Sequence, residues 1–147
     1  MSRCTQQDAL YRSEEEAPNG IDFHDLGEVK LFVKSMTDST WWHERFPKVR
    51  GIRVERALQR DGSVGAWFED DWTGQIEMSP AHWCAKYVCH EVAHVTAEAH
   101  AGSTSHDPAF VRDYLILVYQ TLGSAIWMDL RQRLLDGGIV IDSRDDT

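Results

Sequence analysis

The stretch His90-Glu91-Val92-Ala93-His94 decides how this chain is read. It has the pattern H-E-x-x-H. On a helix, residues four apart lie on one face, so both imidazoles can reach one metal ion. Imidazole nitrogen suits Zn²⁺, and the intervening glutamate is placed to take a proton from a water held by the metal. The flanks are apolar or small: Tyr87, Val88 and Cys89 before, Val92, Ala93 and Val95 between and after. Such flanks imply a buried helix, and buried histidines need polar partners. They disfavour the alternative of a surface helix that carries these three residues by chance.

Working outward, Ser79-Pro80 reads as the start of the motif helix, with serine as N-cap and proline at the first helical position. The helix is expected to run from Pro80 to about His100 and to stop at Gly102. Trp83, Tyr87, His90, His94 and Ala97 share one face. Cys84, Val88, Val92 and Val95 form an apolar face beside it. A helix apolar over most of its girth belongs at the centre of a domain.

Upstream, the hydrophobic period is two. Ile52, Val54 and Leu58 face one way, with Arg53, Glu55 and Ala57 opposite. Asp61-Gly62 is a hairpin signal joining this strand to a second one, in which Val64, Ala66 and Phe68 oppose Trp67. Glu69, Asp70 and Asp71 form an acidic loop before a third strand, Gly74 to Met78, with Ile76 and Met78 inward. Before the strands, a helix from about Leu26 carries Val29, Phe32, Val33 and Met36, and a short helix capped by Thr37 or Asp38 carries Trp41, Trp42 and Phe46 up to Pro47. Downstream, Pro108 starts a helix with Phe110, Val111, Tyr114, Leu115, Val118 and Leu122. A last helix follows Gly123-Ser124 and ends at Gly137-Gly138, with a short extended piece at Ile139 to Ile141.

At 147 residues the chain suits one core. Residues 1–20, polar and ending in Glu14-Glu15-Glu16-Ala17-Pro18-Asn19-Gly20, read as a flexible arm. Residues 21–141 read as a single domain and residues 142–147 as a frayed tail. The formal net charge of -9 argues against general attraction to nucleic acid or anionic membrane. The basic run Lys48, Arg50, Arg53, Arg56 and Arg60 alternates with apolar residues and reads as the solvent face of a strand. No stretch has the length of a membrane span, and the N-terminus lacks an apolar signal region. A cytoplasmic protein is expected. Cys4, Cys84 and Cys89 have no metal-ligand or disulfide spacing and read as core thiols.

A catalytic zinc takes three protein ligands and leaves one position open. Two histidines compete for the third place. His100 has the spacing of metzincins, but that geometry needs the helix to end after His94, and Ala97-Glu98-Ala99 are good helix formers. His106 stands beyond a polar loop, directly before the Pro108 helix, which can fold back and present it to the metal. His106 is therefore favoured over His100. Glu98 is a weaker candidate, two turns from His90. Asp107 reads as an N-cap or as an acceptor orienting His106.

H-E-V-A-H followed by H-D-P-A-F, at His106 to Phe110, resembles the SprT-like and WLM zinc peptidases. In those families H-E-x-x-H is followed by H-[GD]-x-x-F, whose histidine is the third ligand. The strand Gly74 to Met78 resembles the one they place before the metal helix. The resemblance runs from about Gly74 to Leu117. In size and layout the chain also resembles small metallohydrolases of actinobacteria and their phages. The resemblance implies an α+β, minimal zincin-like domain: a small three-stranded, mostly antiparallel sheet packed on the central helix, with flanking N- and C-terminal helices. It implies that His90, His94 and His106 hold Zn²⁺ and that Glu91 is the general base of a metallopeptidase. The loop before His106 is longer than in WLM proteins and no DNA-binding extension is recognisable, so no role in DNA–protein-crosslink repair is carried over.

A peptide or protein is the expected substrate. Tyr87 and Tyr114 are candidate donors to the oxyanion, and the strand Gln75 to Met78, if at the sheet edge, could pair with an extended peptide. A metallohydrolase on a non-peptide amide or ester, and a zinc-stabilised binding or regulatory protein, are the alternatives. Glu91 argues against the last, because a structural site needs no base there. Exposed tryptophans at Trp67 and Trp72 would favour a groove for a peptide or partner.

Overall fold

The computed structural model describes residues 6–58 and 62–142. Among these residues it is an α+β fold with six α-helices and a small three-stranded mixed sheet. Helix α1 spans Gln7–Glu16, α2 Leu26–Thr37 and α3 Thr40–Arg45. Strands β1 (Gly51–Arg56), β2 (Val64–Phe68) and β3 (Thr73–Met78) follow. Then come α4 (Ala85–Ala101), α5 (Pro108–Leu122) and α6 (Ser124–Asp136). The extended piece expected at Ile139 to Ile141 forms no strand, although Ile139 is buried.

The strand order is β1-β3-β2. β1 pairs parallel with β3, and β2 pairs antiparallel with it. The expectation of a mostly antiparallel sheet is therefore corrected to a mixed one. β1 and β2 are not neighbours, so no hairpin joins them; Asp61 of the expected turn lies outside the described residues. The hairpin is instead β2–β3, closed by the turn at residues 69–72, where Trp72 takes a left-handed backbone at φ 59°. Asp71 Oδ1 stabilises that turn by accepting from the Thr73 hydroxyl at 2.6 Å. β3 is the central strand, so the condition for Gln75 to Met78 to pair with an extended peptide is not met.

β3 alternates as expected, with Ile76 and Met78 fully buried. β2 is turned over. Val64 and Phe68 are exposed, while Trp67 packs on the core. Gly65 explains the facing. A Cβ there would collide with the carbonyl oxygen of Glu91 and lie 3.4 Å from His94 Cβ. β2 thus crosses α4 at the motif, and only glycine permits that approach. Leu58, expected inward, is 99% exposed because β1 ends at Arg56; Ala57 is buried instead, its N–H donating to Met78 O at 3.1 Å.

α4 is the centre of the fold, covered by β2 and β3 on one side and α5 on another. It begins five residues later than the Ser79-Pro80 signal implies. Pro80–His82 forms only a 3-10 turn, and the extended Cys84 bridges to Asp22. The first amides of α4 are capped by backbone: Ala85 N–H donates to Ile21 O and Lys86 N–H to Asn19 O, at 2.8 and 3.0 Å. That satisfies orphan donors at the helix start without a side-chain cap. The other end matches expectation, with Gly102 left-handed at φ 66°. Cys84 and Cys89 are buried thiols; Cys4 lies outside the described residues.

Residues 7–16, expected in a flexible arm, form α1. Leu10 and Glu14 are buried, and the helix packs against α6. Its single apolar anchor, Leu10, and the run of three glutamates conceal an amphipathic helix. The tail expected at residues 142–147 lies outside the described residues from 143 onward.

Candidate metal centre

α4 carries His90 and His94 one turn apart, as the spacing requires. Gly102 ends the helix, and the 102–107 loop brings the chain back. Asp107 caps α5: its Oδ1 accepts from Phe110 N–H at 3.1 Å and from the Ser103 hydroxyl at 2.8 Å. With Pro108 at the first helical position, this start is rigid. Asp107 is thus a cap, and its carboxylate is directed at the loop. His106 immediately precedes it and points back to α4. His106 Nε2 lies 3.2 Å from Nε2 of both His90 and His94, and the three candidate ligand atoms lie within 4.8 Å of one another. Phe110 packs beneath all three rings, with centroids 4.3 to 5.0 Å away. This cluster could hold a metal ion.

His100 is not part of it. Its ring lies near Phe46, at 6.0 Å between centroids. Glu98 is also elsewhere, with its Oε1 accepting from Trp67 N–H at 3.1 Å.

The donor chemistry fits a metal. Burial and the neighbouring His90 lower the pKa of His94 to about 2. The same two causes, only partly offset by Glu14 and Asp107, lower His106 to about 4. Both rings are neutral near pH 7, as ligands must be. His90 differs. Burial opposes its charge, but the carboxylates of Glu14 and Glu91 outweigh that and raise it to about 9. Glu91 is buried, and desolvation raises it to about 7 despite His90. Its Oε2 lies 3.9 Å from His90 Nε2. A carboxyl poised there exchanges a proton readily near neutral pH.

Glu91 and His90 line a cavity of about 310 Å³ with Tyr11, Ser63, His82 and Tyr87. Ser63 links the hairpin to the 3-10 turn: its Oγ lies 2.8 Å from His82 Nδ1 and accepts from Ser79 N–H at 3.0 Å. Tyr87 faces this cavity, and burial raises its hydroxyl to about 12, so it stays a donor. Tyr114 does not serve as an oxyanion donor. It is fully buried, and its hydroxyl donates to Glu14 Oε2 at 2.7 Å.

Family models, curated proteins and solved structures contain no match to this chain.

Glu14 is the site residue that sequence reasoning missed. Its Oε2 lies 2.6 Å from His90 Nδ1, and its side chain is 2% exposed. Burial works against its charge, but His90, Tyr114 and Lys86 together hold it below the usual carboxylate range. The only signal in the sequence is the spacing Leu10, Glu14, Ala17, which puts Glu14 on the buried face of a helix. Of the two tryptophans whose exposure would favour a groove, Trp67 packs on the core and Trp72 is 42% exposed, with the Arg50 guanidinium 5.0 Å from its ring centre.

Proposed function

We propose that the chain is a small zinc-dependent metallopeptidase of SprT-like or WLM type, acting on a peptide or protein in the cytoplasm. The observation that carries this reading is the convergence of three imidazole nitrogens beside a buried glutamate that opens on the same cavity. His90, His94 and His106 would hold the metal. When bound, zinc supplies a Lewis acid for a carbonyl oxygen and makes water acidic enough to react near pH 7. Glu91 acts as general base toward the attacking water and returns the proton to the leaving amine. Tyr87 is the phenol that faces the cavity and can donate to the developing oxyanion. β2, the edge strand that crosses α4 at the motif, offers its outer edge to an extended chain.

Elemental analysis of the native protein is expected to give about one zinc per chain. His106→Ala should lose it, and His100→Ala should keep it. Glu91→Gln is expected to retain zinc while lowering cleavage of a fluorogenic peptide library by roughly 10²–10⁴-fold. A native chain that takes up no metal overturns the reading. Retention by His106→Ala with loss by His100→Ala would move the site to the metzincin spacing.

A further inference from the structure

We propose that α1 is part of the metal site: Glu14 is the positioning carboxylate that holds the His90 proton on Nδ1 and turns Nε2 toward the metal. As a result, metal binding and the docking of α1 stabilise each other. The inference rests on the zinc reading above and adds an element from outside the motif.

Glu14 is clamped by three residues of the two helices that frame the site. His90 Nδ1 lies 2.6 Å from Glu14 Oε2, and the Tyr114 hydroxyl donates to the same oxygen at 2.7 Å. Lys86, itself buried, donates its ammonium to the carbonyl oxygens of Glu14 and Ala17, at 2.7 and 2.9 Å. An ionised carboxylate only accepts hydrogen bonds, so the 2.6 Å contact requires the proton on His90 Nδ1. Once Nε2 gives up its own proton, its lone pair faces the side where His94 and His106 converge. A carboxylate behind a ligating imidazole fixes its tautomer and raises its basicity.

α1 also reaches the second ligand segment. The Gln6 side-chain amide, at the start of the helix, donates to His106 O at 2.9 Å. The Tyr11 ring stacks on His90 at 6.1 Å and meets His106 edge-on at 5.4 Å. Gln6, Tyr11 and Glu14 thus position one ligand from α4 and one from the 102–107 loop relative to each other. Coupling of this kind is reciprocal: whatever α1 adds to metal affinity, the metal adds to the docking of α1.

Glu14→Gln keeps the side-chain size and removes the charge. Its zinc affinity, measured by competition with a chromophoric chelator, is expected to fall by roughly 10–100-fold. In the native chain, zinc should increase hydrogen-exchange protection of the α1 amides around Leu10 to Glu14, and Glu14→Gln should diminish that gain. Long-range ¹H–¹⁵N NMR of the native protein reads the tautomer directly, whether or not the variant folds; the zinc form should carry the His90 proton on Nδ1. A native chain that binds zinc while Glu14→Gln binds within about twofold of it overturns the inference and leaves the zinc reading standing. A His90 proton on Nε2 overturns it as well. A native chain that binds no zinc removes the reading beneath it.

Discussion

α4 and α1 meet at the hydrogen bond between His90 and Glu14 and arrive there by opposite routes. α4 is buried along nearly its whole length, enclosed by β2, β3 and α5. Its histidines sit where the backbone puts them, and few alternatives are open to them. α1 is a ten-residue helix at the periphery, with only Leu10 and Glu14 buried. A helix that short is marginal alone. It holds its place through Leu10, through its packing on α6, through the Lys86 clamp and through the site itself. The difference teaches that a central element can present the histidines while a peripheral one sets how they are hydrogen-bonded.

The largest effect expected from testing that contrast is on α1. Leu10→Ala removes its one apolar anchor and should cost about 2–5 kcal/mol if the whole fold feels it. If α1 is separable, denaturant unfolding of the metal-free variant should instead change little, with only the α1 amides losing exchange protection. Those two outcomes separate an integral helix from a docked one. On the α4 side, Gly65→Ala forces a Cβ onto the Glu91 carbonyl and should destabilise the whole domain by about 1–3 kcal/mol in thermal or denaturant unfolding. A neutral result would mean that β2 yields at the motif, and α4 would then not be the rigid partner.

The smallest effect is electrostatic. With His90 raised to about 9 by its carboxylate neighbours, the metal-free chain carries it as imidazolium at pH 7. Zinc must displace a proton from Nε2, so binding at pH 7 should release about one proton from His90. Above pH 9 the His90 contribution should disappear, because His90 is then already neutral, leaving the proton lost by the water that zinc would hold. Titration calorimetry in buffers of different ionisation enthalpy measures it. Glu14→Gln removes a principal cause of the raised pKa and should reduce the release at pH 7.

Much of this was legible from residues alone. The H-E-x-x-H spacing needs only helix geometry, and the apolar flanks show which way the helix faces. The uninterrupted Ala97-Glu98-Ala99 carries His100 around the helix, away from the cluster. The Asp107-Pro108 start gives His106 a fixed place before α5. All are local regularities with a period or a cap behind them. The features that local patterns do not carry are non-local. Ser79-Pro80 is a good helix start by local rules, yet α4 begins at Ala85 because the backbone of residues 19–23 caps it there. β2 carries apolar side chains on both faces, so its alternation does not say which face is buried; the close approach at Gly65 sets Trp67 inward and Val64 and Phe68 outward. Strand order followed the same logic. A Gly-containing turn suggested β1 beside β2, while pairing placed β3 between them.

The sequence by itself determined the pair of histidines, the glutamate between them and the histidine before α5, because each depends on spacing within one helix or at one cap. Only the tertiary structure decided that Glu14 belongs to the site. Three glutamates stand in a row at residues 14–16, chemically identical and in the same helix. Glu15 and Glu16 are exposed, and Glu14 alone meets His90, Tyr114 and Lys86. Which of three equal carboxylates is buried is set by how α1 lies against α4 and α5, and partners 72 to 100 residues away leave no local mark on the chain.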